Sequence, residues 1–123
     1  MDSLDRLNAR LLQFARDRDW EQFHSPKNLA MALAGEVGEL IEHFQWLTEE
    51  QSAGLSPDKK VLVGEELADC LIYLIRISER LGIDLLAAAE RKIAINEQRY
   101  PVERVRGDAR RAEEYDPPAQ ADH

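Results

Sequence analysis

Two pairs of carboxylates with three-residue spacing are the feature of this sequence best suited to chemistry. Glu36 and Glu39 form the first pair, and Glu66 and Asp69 form the second. On a helix, residues three apart share a face, with Cβ atoms about 5–6 Å from each other. Carboxylates held this close repel, and removing them from water is costly unless a cation joins them. The spacing favours a metal site, and the alternative is two acidic helix faces exposed to solvent.

The donor set indicates which metal such a site would hold. All the ligands are oxygens, which favours a hard cation such as Mg²⁺, with Mn²⁺ as a substitute. Magnesium usually keeps several bound waters, and those positions are where phosphate oxygens could bind. A di-iron site is the other metal interpretation, but it requires Glu-x-x-His on two helices. That spacing occurs here at Glu21 and His24, in a connector.

Hydrophobic periodicity predicts four amphipathic helices and no strands, and hence an all-α four-helix bundle. The expected helices run from about Ser3 to Arg18, from Pro26 to Trp46 or Leu47, from Pro57 to about Leu81 and from Leu85 to about Arg99. The second and third helices carry the acidic pairs. Their short connection, residues 48–56, is expected to be a loop, so the two helices should pack antiparallel and bring the four carboxylates together.

Residues at the helix boundaries support these limits. Ser25 and Ser56 each precede a proline, the signature of an N-cap followed by proline at the first helical position. Gly82 supplies a stop for the third helix, and Asp84 is expected to cap the fourth.

Composition narrows the class of protein. The chain has 123 residues, which predicts one helical domain over 1–110 and a flexible tail over 111–123. A net charge of −8 argues against binding to nucleic acid polymers. No apolar run reaches membrane-spanning length, and the first residues lack a secretory pattern, so we expect a cytoplasmic protein. The broad apolar surface of the second and third helices predicts at least a homodimer.

Several other side chains are suited to binding a nucleotide. Lys92, Asn96 and Arg99 share a face of the fourth helix and could clamp phosphates. Trp20 and Trp46 flank the second helix and could stack on a base. Taken alone, each of these sets is also compatible with a plain structural role. Tyr73 is expected to be a core residue with a wet hydroxyl, and His43 a surface residue.

Five segments, in order, give the sequence a resemblance to a known family. They are W-E-Q-F-H-x-P-x-N-L at 20–29, G-E-V-G-E-L at 35–40, F-Q-W at 44–46, E-E-L-A-D-C-L-I-Y-L at 65–74 and K-x-x-x-N-x-x-R-Y-P at 92–101. Together they resemble the all-α nucleoside triphosphate pyrophosphohydrolases of the MazG-like superfamily, and within it the dCTP pyrophosphatase branch. Animal enzymes of that branch carry a histidine on the first helix, and the region around Leu11 has none.

The resemblance implies a hydrolase that converts a (deoxy)nucleoside triphosphate, dCTP or a modified dCTP, to the monophosphate and pyrophosphate. It also implies nucleotide-pool housecleaning as the role, and homotetramers built as dimers of dimers. It makes Glu36, Glu39, Glu66 and Asp69 the magnesium ligands. In keeping with that resemblance, magnesium would orient the triphosphate and lower the pKa of a bound water, and Glu36 or Glu39 would accept a proton. The residues it assigns to the substrate are Trp20, Glu21, Gln22, Phe23, His24, Trp46, Tyr73, Lys92, Asn96 and Arg99.

Two alternatives remain at this stage. The same fold could act on dUTP, another noncanonical nucleotide or phosphoribosyl-ATP. The chain could also be a non-catalytic helical interaction module whose acidic residues only confer solubility.

Overall fold

The computed structural model describes residues 2–110 and 112–114, and every regular element in them is helical. Six α-helices follow one another: α1 (Ser3–Asp17), α2 (Pro26–Glu42), α3 (Glu49–Ala53), α4 (Pro57–Leu81), α5 (Leu85–Arg99) and α6 (Val102–Val105). Two 3₁₀ turns, Glu21–Phe23 and Ala112–Glu114, complete the set. The all-α prediction is confirmed. None of these helices is long and apolar enough to cross a membrane.

The long helices begin where capping chemistry predicts. The side chains of Asp2, Ser25 and Ser56 each accept a hydrogen bond from a backbone N–H in the first turn of α1, α2 and α4. These bonds satisfy donors that a helix start would otherwise leave free. Gly82 ends α4 with φ +67°, a left-handed conformation that glycine adopts without steric cost.

The structure corrects two predictions about the second helix and the segment after it. Helix α2 ends at Glu42 and is followed by turns, so Trp46 does not lie on it. The segment 48–56 is not an irregular loop, because it contains α3. Thr48 and Gln51 form a reciprocal capping box at its start. The T-x-x-Q spacing carries that signal in the sequence.

The structure divides into two compact units, Met1–Asp84 and Leu85–His123. In the first unit, α4 packs against both α2 and α1. His24, just before α2, contacts Arg76 near the end of α4. His43, just after α2, contacts Glu66 in the first half of α4. The contacts therefore run in opposite directions along the two segments, which confirms the antiparallel arrangement of α2 and α4.

Among the residues that the structure describes, the buried apolar core is small. Its members are Ala15, Leu29, Val63 and Ile75. Many large apolar side chains stay exposed on the two helices that carry the acidic pairs, among them Met31, Ile41, Val61, Leu67 and Leu71.

The second unit contains α5, α6 and the second 3₁₀ turn. Arg99, at the end of α5, forms an ion pair with Glu113 at 2.5 Å. Most of the predicted tail, residues 111–123, lies outside the described residues, so its flexibility and the 1–110 domain boundary stay predictions.

Candidate metal and nucleotide site

Three of the four predicted carboxylates meet between α2 and α4. Glu36, Glu39 and Glu66 each offer an oxygen, and these oxygens lie within 4.8 Å of one another. Glu36 and Glu66 are partly buried, whereas Glu39 is exposed. The three-residue spacing explains why Glu36 and Glu39 are close, since one turn of α2 carries both. The antiparallel packing of α4 then brings Glu66 to the same place.

The proximity of these groups changes their proton affinities. A hydrogen bond with Glu39, burial and the charges of the neighbouring carboxylates raise the pKa of Glu36 to about 7. The pKa of Glu66 is also raised, first by burial and then by Glu39 and Asp69. Asp69, the fourth predicted ligand, is thus close enough to act on both groups. Each shift records the cost of gathering negative charge without a cation.

The cluster fits a hard divalent cation. Glu36 Oε2 and Glu66 Oε2 are buried and have no hydrogen-bond partner in the described part of the chain. Buried carboxylate oxygens are normally hydrogen-bonded or bound to a metal. An all-oxygen set of this kind suits Mg²⁺ or Mn²⁺ rather than zinc.

His43 is not the surface residue that the sequence suggested. Its side chain is 18% exposed, and its Nε2 lies 3.8 Å from Glu66 Oε1. Although it falls outside the acidic spacing, the turn that follows α2 returns it to the cluster.

A cavity of about 370 Å³ lies beside the carboxylates. Glu36 and Asp69 contribute to its wall, so the acidic cluster and the cavity are continuous. The remaining wall is mainly apolar and aromatic, with polar groups from the connector between α1 and α2 and from α4. The other lining residues are Leu11, Phe14, Ala15, Trp20, His24, Leu29, Ile72, Tyr73 and Arg76.

An aromatic pair forms part of this wall. The rings of Phe14 and Trp20 meet edge to face, with centroids 5.7 Å apart. The guanidinium of Arg18 lies 3.6 Å from the centre of the Phe14 ring. Both aromatic side chains remain nearly half exposed, so part of their surface is available to a ligand.

Helix α4 fixes the connector that carries Trp20 and His24. Arg76 Nη2 donates to His24 Nδ1 at 3.2 Å, and Arg80 Nε donates to the His24 carbonyl at 3.0 Å. Burial and the charges of these two arginines lower the pKa of His24, and Glu21 opposes the shift. His24 is therefore held as a neutral imidazole whose Nδ1 accepts a hydrogen bond.

The structure brings together only part of the predicted substrate set. Trp20, His24 and Tyr73 line the cavity, whereas Glu21, Gln22, Phe23 and Trp46 are not among its lining residues. Trp46 is 86% exposed. Glu21 instead pairs with Arg16 at 3.6 Å.

The predicted phosphate clamp belongs to the second unit. Lys92, Asn96 and Arg99 are exposed on successive turns of α5, and Arg99 is paired with Glu113. Their role toward phosphate stays a prediction.

Sequence reasoning missed the cavity residues that lack a motif. No functional role was assigned from the sequence to Phe14 or to Arg76. An arginine within the apolar face of a long helix was the available signal, because buried arginines need partners.

Two curated relatives match most of this chain in sequence. A human dCTP pyrophosphatase 1 is 45% identical over 113 residues, which cover 90% of this chain and 65% of that protein. The mouse dCTP pyrophosphatase 1 is 47% identical over 111 residues, with 89% and 64% covered. The chain thus spans slightly less than two thirds of the length of these relatives.

A solved structure and a family model complete the comparison. The crystal structure of a pyrophosphatase from Archaeoglobus fulgidus matches with a TM-score of 0.77 and 36% identity, over 82% of this chain and 94% of the other. The model of the MazG-like family matches residues 32–114, which include the acidic residues of both helices. The chain belongs to the MazG-like family.

Proposed function

We propose that this protein is a Mg²⁺-dependent nucleoside triphosphate pyrophosphohydrolase that converts dCTP or a modified dCTP to the monophosphate and pyrophosphate. The observation that carries the proposal is the continuity of two features. Glu36, a partly buried carboxylate with one unpaired oxygen, lies with Asp69 at one part of a cavity whose remaining wall is mainly apolar and aromatic. A nucleoside triphosphate matches both features, because its phosphates suit a metal held by the carboxylates and its planar base suits the apolar, aromatic wall. The similarity to dCTP pyrophosphatases supports the same substrate class.

The carboxylates have two tasks in this reaction. Glu36, Glu39, Glu66 and Asp69 hold the metal, with Mn²⁺ as a substitute for Mg²⁺. When bound, the metal neutralises charge on the phosphates and makes water a better nucleophile. Glu36 or Glu39 accepts the proton of the attacking water, because a carboxylate next to the proposed phosphate site can act as a general base.

The cavity positions the nucleoside. Trp20 and Phe14 offer exposed ring surface for a base, and stacking of this kind contributes about 1–3 kcal/mol per base. Tyr73 lies one turn of α4 beyond Asp69 and lines the same wall, which supports a role for it near the sugar. The exclusion of water from this apolar surface also lowers the local dielectric constant, which strengthens the electrostatic interactions at the phosphates.

The assembly and the location are part of the same proposal. The exposed apolar residues on α2 and α4 exceed what one chain covers, which supports a homodimer or a dimer of dimers. We expect the protein to act in the cytoplasm. Sedimentation as a monomer at micromolar concentration would contradict the assembly.

A substrate panel tests the activity. Purified protein is incubated with dCTP, 5-methyl-dCTP, dUTP and dATP, with Mg²⁺ or with EDTA, and pyrophosphate is measured. We expect pyrophosphate release with Mg²⁺, fastest with a cytosine nucleotide, and none with EDTA. Orthophosphate as the product, or equal rates in EDTA, would exclude the proposed reaction. Faster turnover of dUTP would keep the reaction and change the substrate.

A further inference from the structure

Arg76 is an unusual residue to find in the wall of an apolar cavity. It is only 3% exposed, although it carries a permanent positive charge. Its charge is balanced by Glu79, whose Oε2 accepts a hydrogen bond from Arg76 Nη1 at 3.1 Å. Arginine is rarely buried unless it is paired, because removing its charge from water is costly.

The guanidinium is held firmly and still has unused donors. Glu79 occupies Nη1 and His24 occupies Nη2, while Nε is buried without any partner among the described residues. A guanidinium has five N–H groups in a rigid plane, and a buried unpaired donor costs stability. The missing acceptor is therefore expected to arrive with a ligand.

His24 adds to this donor character. An arginine can only donate, so the bond from Arg76 fixes His24 Nδ1 as an acceptor. The proton of the neutral ring is then on Nε2. The two polar residues at this part of the cavity thus present N–H groups, in contrast to the carboxylates of Glu36 and Asp69.

Helix α4 sets the separation between the two kinds of group. Asp69, Tyr73 and Arg76 lie on one face of α4 and all line the cavity. From Asp69 to Arg76 the helix makes about two turns and rises about 10 Å. The backbone of Arg76 therefore lies about two helical turns from that of Asp69 in the acidic cluster, and the charge of Arg76 is already balanced by Glu79. Both facts argue that it meets the base rather than a phosphate.

We propose that Arg76 is a specificity-determining residue that donates a hydrogen bond to a ring carbonyl oxygen of the bound base. The 2-oxo group of a pyrimidine is the acceptor with matching chemistry, whereas adenine has no carbonyl oxygen. The inference rests on the proposed function, because it needs a nucleotide in the cavity. It adds which atom of the base is read, and by which residue.

The test combines a change in the protein with a change in the substrate. The ratio of kcat/KM for dCTP to that for 2-thio-dCTP is measured, because sulfur at position 2 is a weak acceptor. For the wild type we expect a ratio of about 10 to 100, the range for a hydrogen bond from a charged donor. Arg76→Met should bring the ratio close to one by slowing dCTP more than 2-thio-dCTP. Arg80→Met is the matched control, since Arg80 anchors the same connector without lining the cavity, and it should keep the wild-type ratio.

The outcomes separate this inference from the function on which it depends. No Mg²⁺-dependent pyrophosphate release from any nucleotide by the wild type would overturn both. Turnover of dCTP with a wild-type ratio near one would overturn the role of Arg76 alone. An equal loss on both substrates in Arg76→Met would do the same, because it would make Arg76 structural. If circular dichroism shows that Arg76→Met does not fold, the wild-type ratio decides the question. Arg76→Lys, which keeps a donor, should then retain a ratio above one.

Discussion

Glu36 on α2 and Glu66 on α4 place carboxylate oxygens within 4.8 Å of each other, and each residue has one oxygen buried without a hydrogen-bond partner. Without a cation, this contact opposes the packing of the two helices. With a divalent cation, the same contact joins them. The metal is therefore expected to act on the stability of the fold as well as on catalysis.

Magnesium should raise the melting temperature of the wild type, because a ligand that binds only the folded state stabilises it. The expected gain is about 2.7 kcal/mol at a concentration 100 times Kd. Glu39→Gln should abolish most of this gain and lower Mg²⁺-dependent pyrophosphate release by at least about 100-fold, the contribution of a well-placed base or ligand. Differential scanning calorimetry and a pyrophosphate assay measure the two effects.

Glu42→Gln is the matched control for this experiment. Glu42 is an exposed acid one turn further along α2 and is not part of the carboxylate cluster. It should retain both the magnesium shift and the activity. Undiminished activity in Glu39→Gln would remove the basis of the catalytic assignment.

The metal-free protein should lose stability as the pH rises through about 7. The pKa of Glu36 in the folded state, about 7, lies above its unfolded value of 4.5. The folded state therefore holds a proton that the unfolded state releases, so this contribution is fully present below about pH 4.5 and is lost as the pH rises through about 7. Urea unfolding in EDTA at several pH values, for the wild type and Glu36→Gln, isolates the effect.

Glu36→Gln should be more stable than the wild type at alkaline pH and should show a smaller dependence on pH. A difference between the two proteins that does not change with pH would contradict the raised pKa. In saturating Mg²⁺ the dependence of the wild type should reverse, since metal binding requires the ionised carboxylate.

Capping residues and hydrophobic periodicity predicted most of the helices. Contacts between residues far apart in the sequence could not be predicted from such local patterns. Ser25 and Ser56 could be identified as caps because each acts within one turn of its own helix. The contact between His24 and Arg76 spans 52 residues and depends on the register of α4, which no local pattern specifies. Trp46 was placed on the second helix because the apolar period continues through Phe44, whereas the backbone leaves the helix after Glu42.

The neutral state of His24 should depend on Arg80. Burial and the charges of Arg76 and Arg80 lower the pKa of His24 from 6.5. Arg80→Gln removes one of these charges and should raise the pKa, as followed by NMR titration of the ring protons. Lys60→Gln, an exposed cation at the other end of α4, should leave it unchanged. An unaltered titration in Arg80→Gln would show that burial and Arg76 account for the shift.

The same pKa has a consequence for stability at acidic pH. Because the folded value lies below 6.5, the unfolded state binds the proton first as the pH falls. The stabilising contribution of neutral His24 is thus present above about pH 6.5 and is lost below it, opposite in sign to that of Glu36. A His24→Asn variant, whose side-chain oxygen can accept from Arg76, should show a weaker loss on acidification.

Replacing Gly35 by alanine should stabilise the chain. Glycine within a helix normally costs about 0.5–1 kcal/mol relative to alanine, and on sequence alone it is easiest to explain where something approaches closely. Apart from its chain neighbours and the backbone of its own helix, a Cβ at Gly35 would have no heavy atom of the described residues within 4 Å. Gly35→Ala should therefore raise the free energy of unfolding by about 0.5–1 kcal/mol in urea. Ala34→Gly, at the neighbouring exposed position, should lower it by a similar amount. A loss of stability in Gly35→Ala that appears only at high protein concentration would indicate that another copy of the chain packs against α2 at this position.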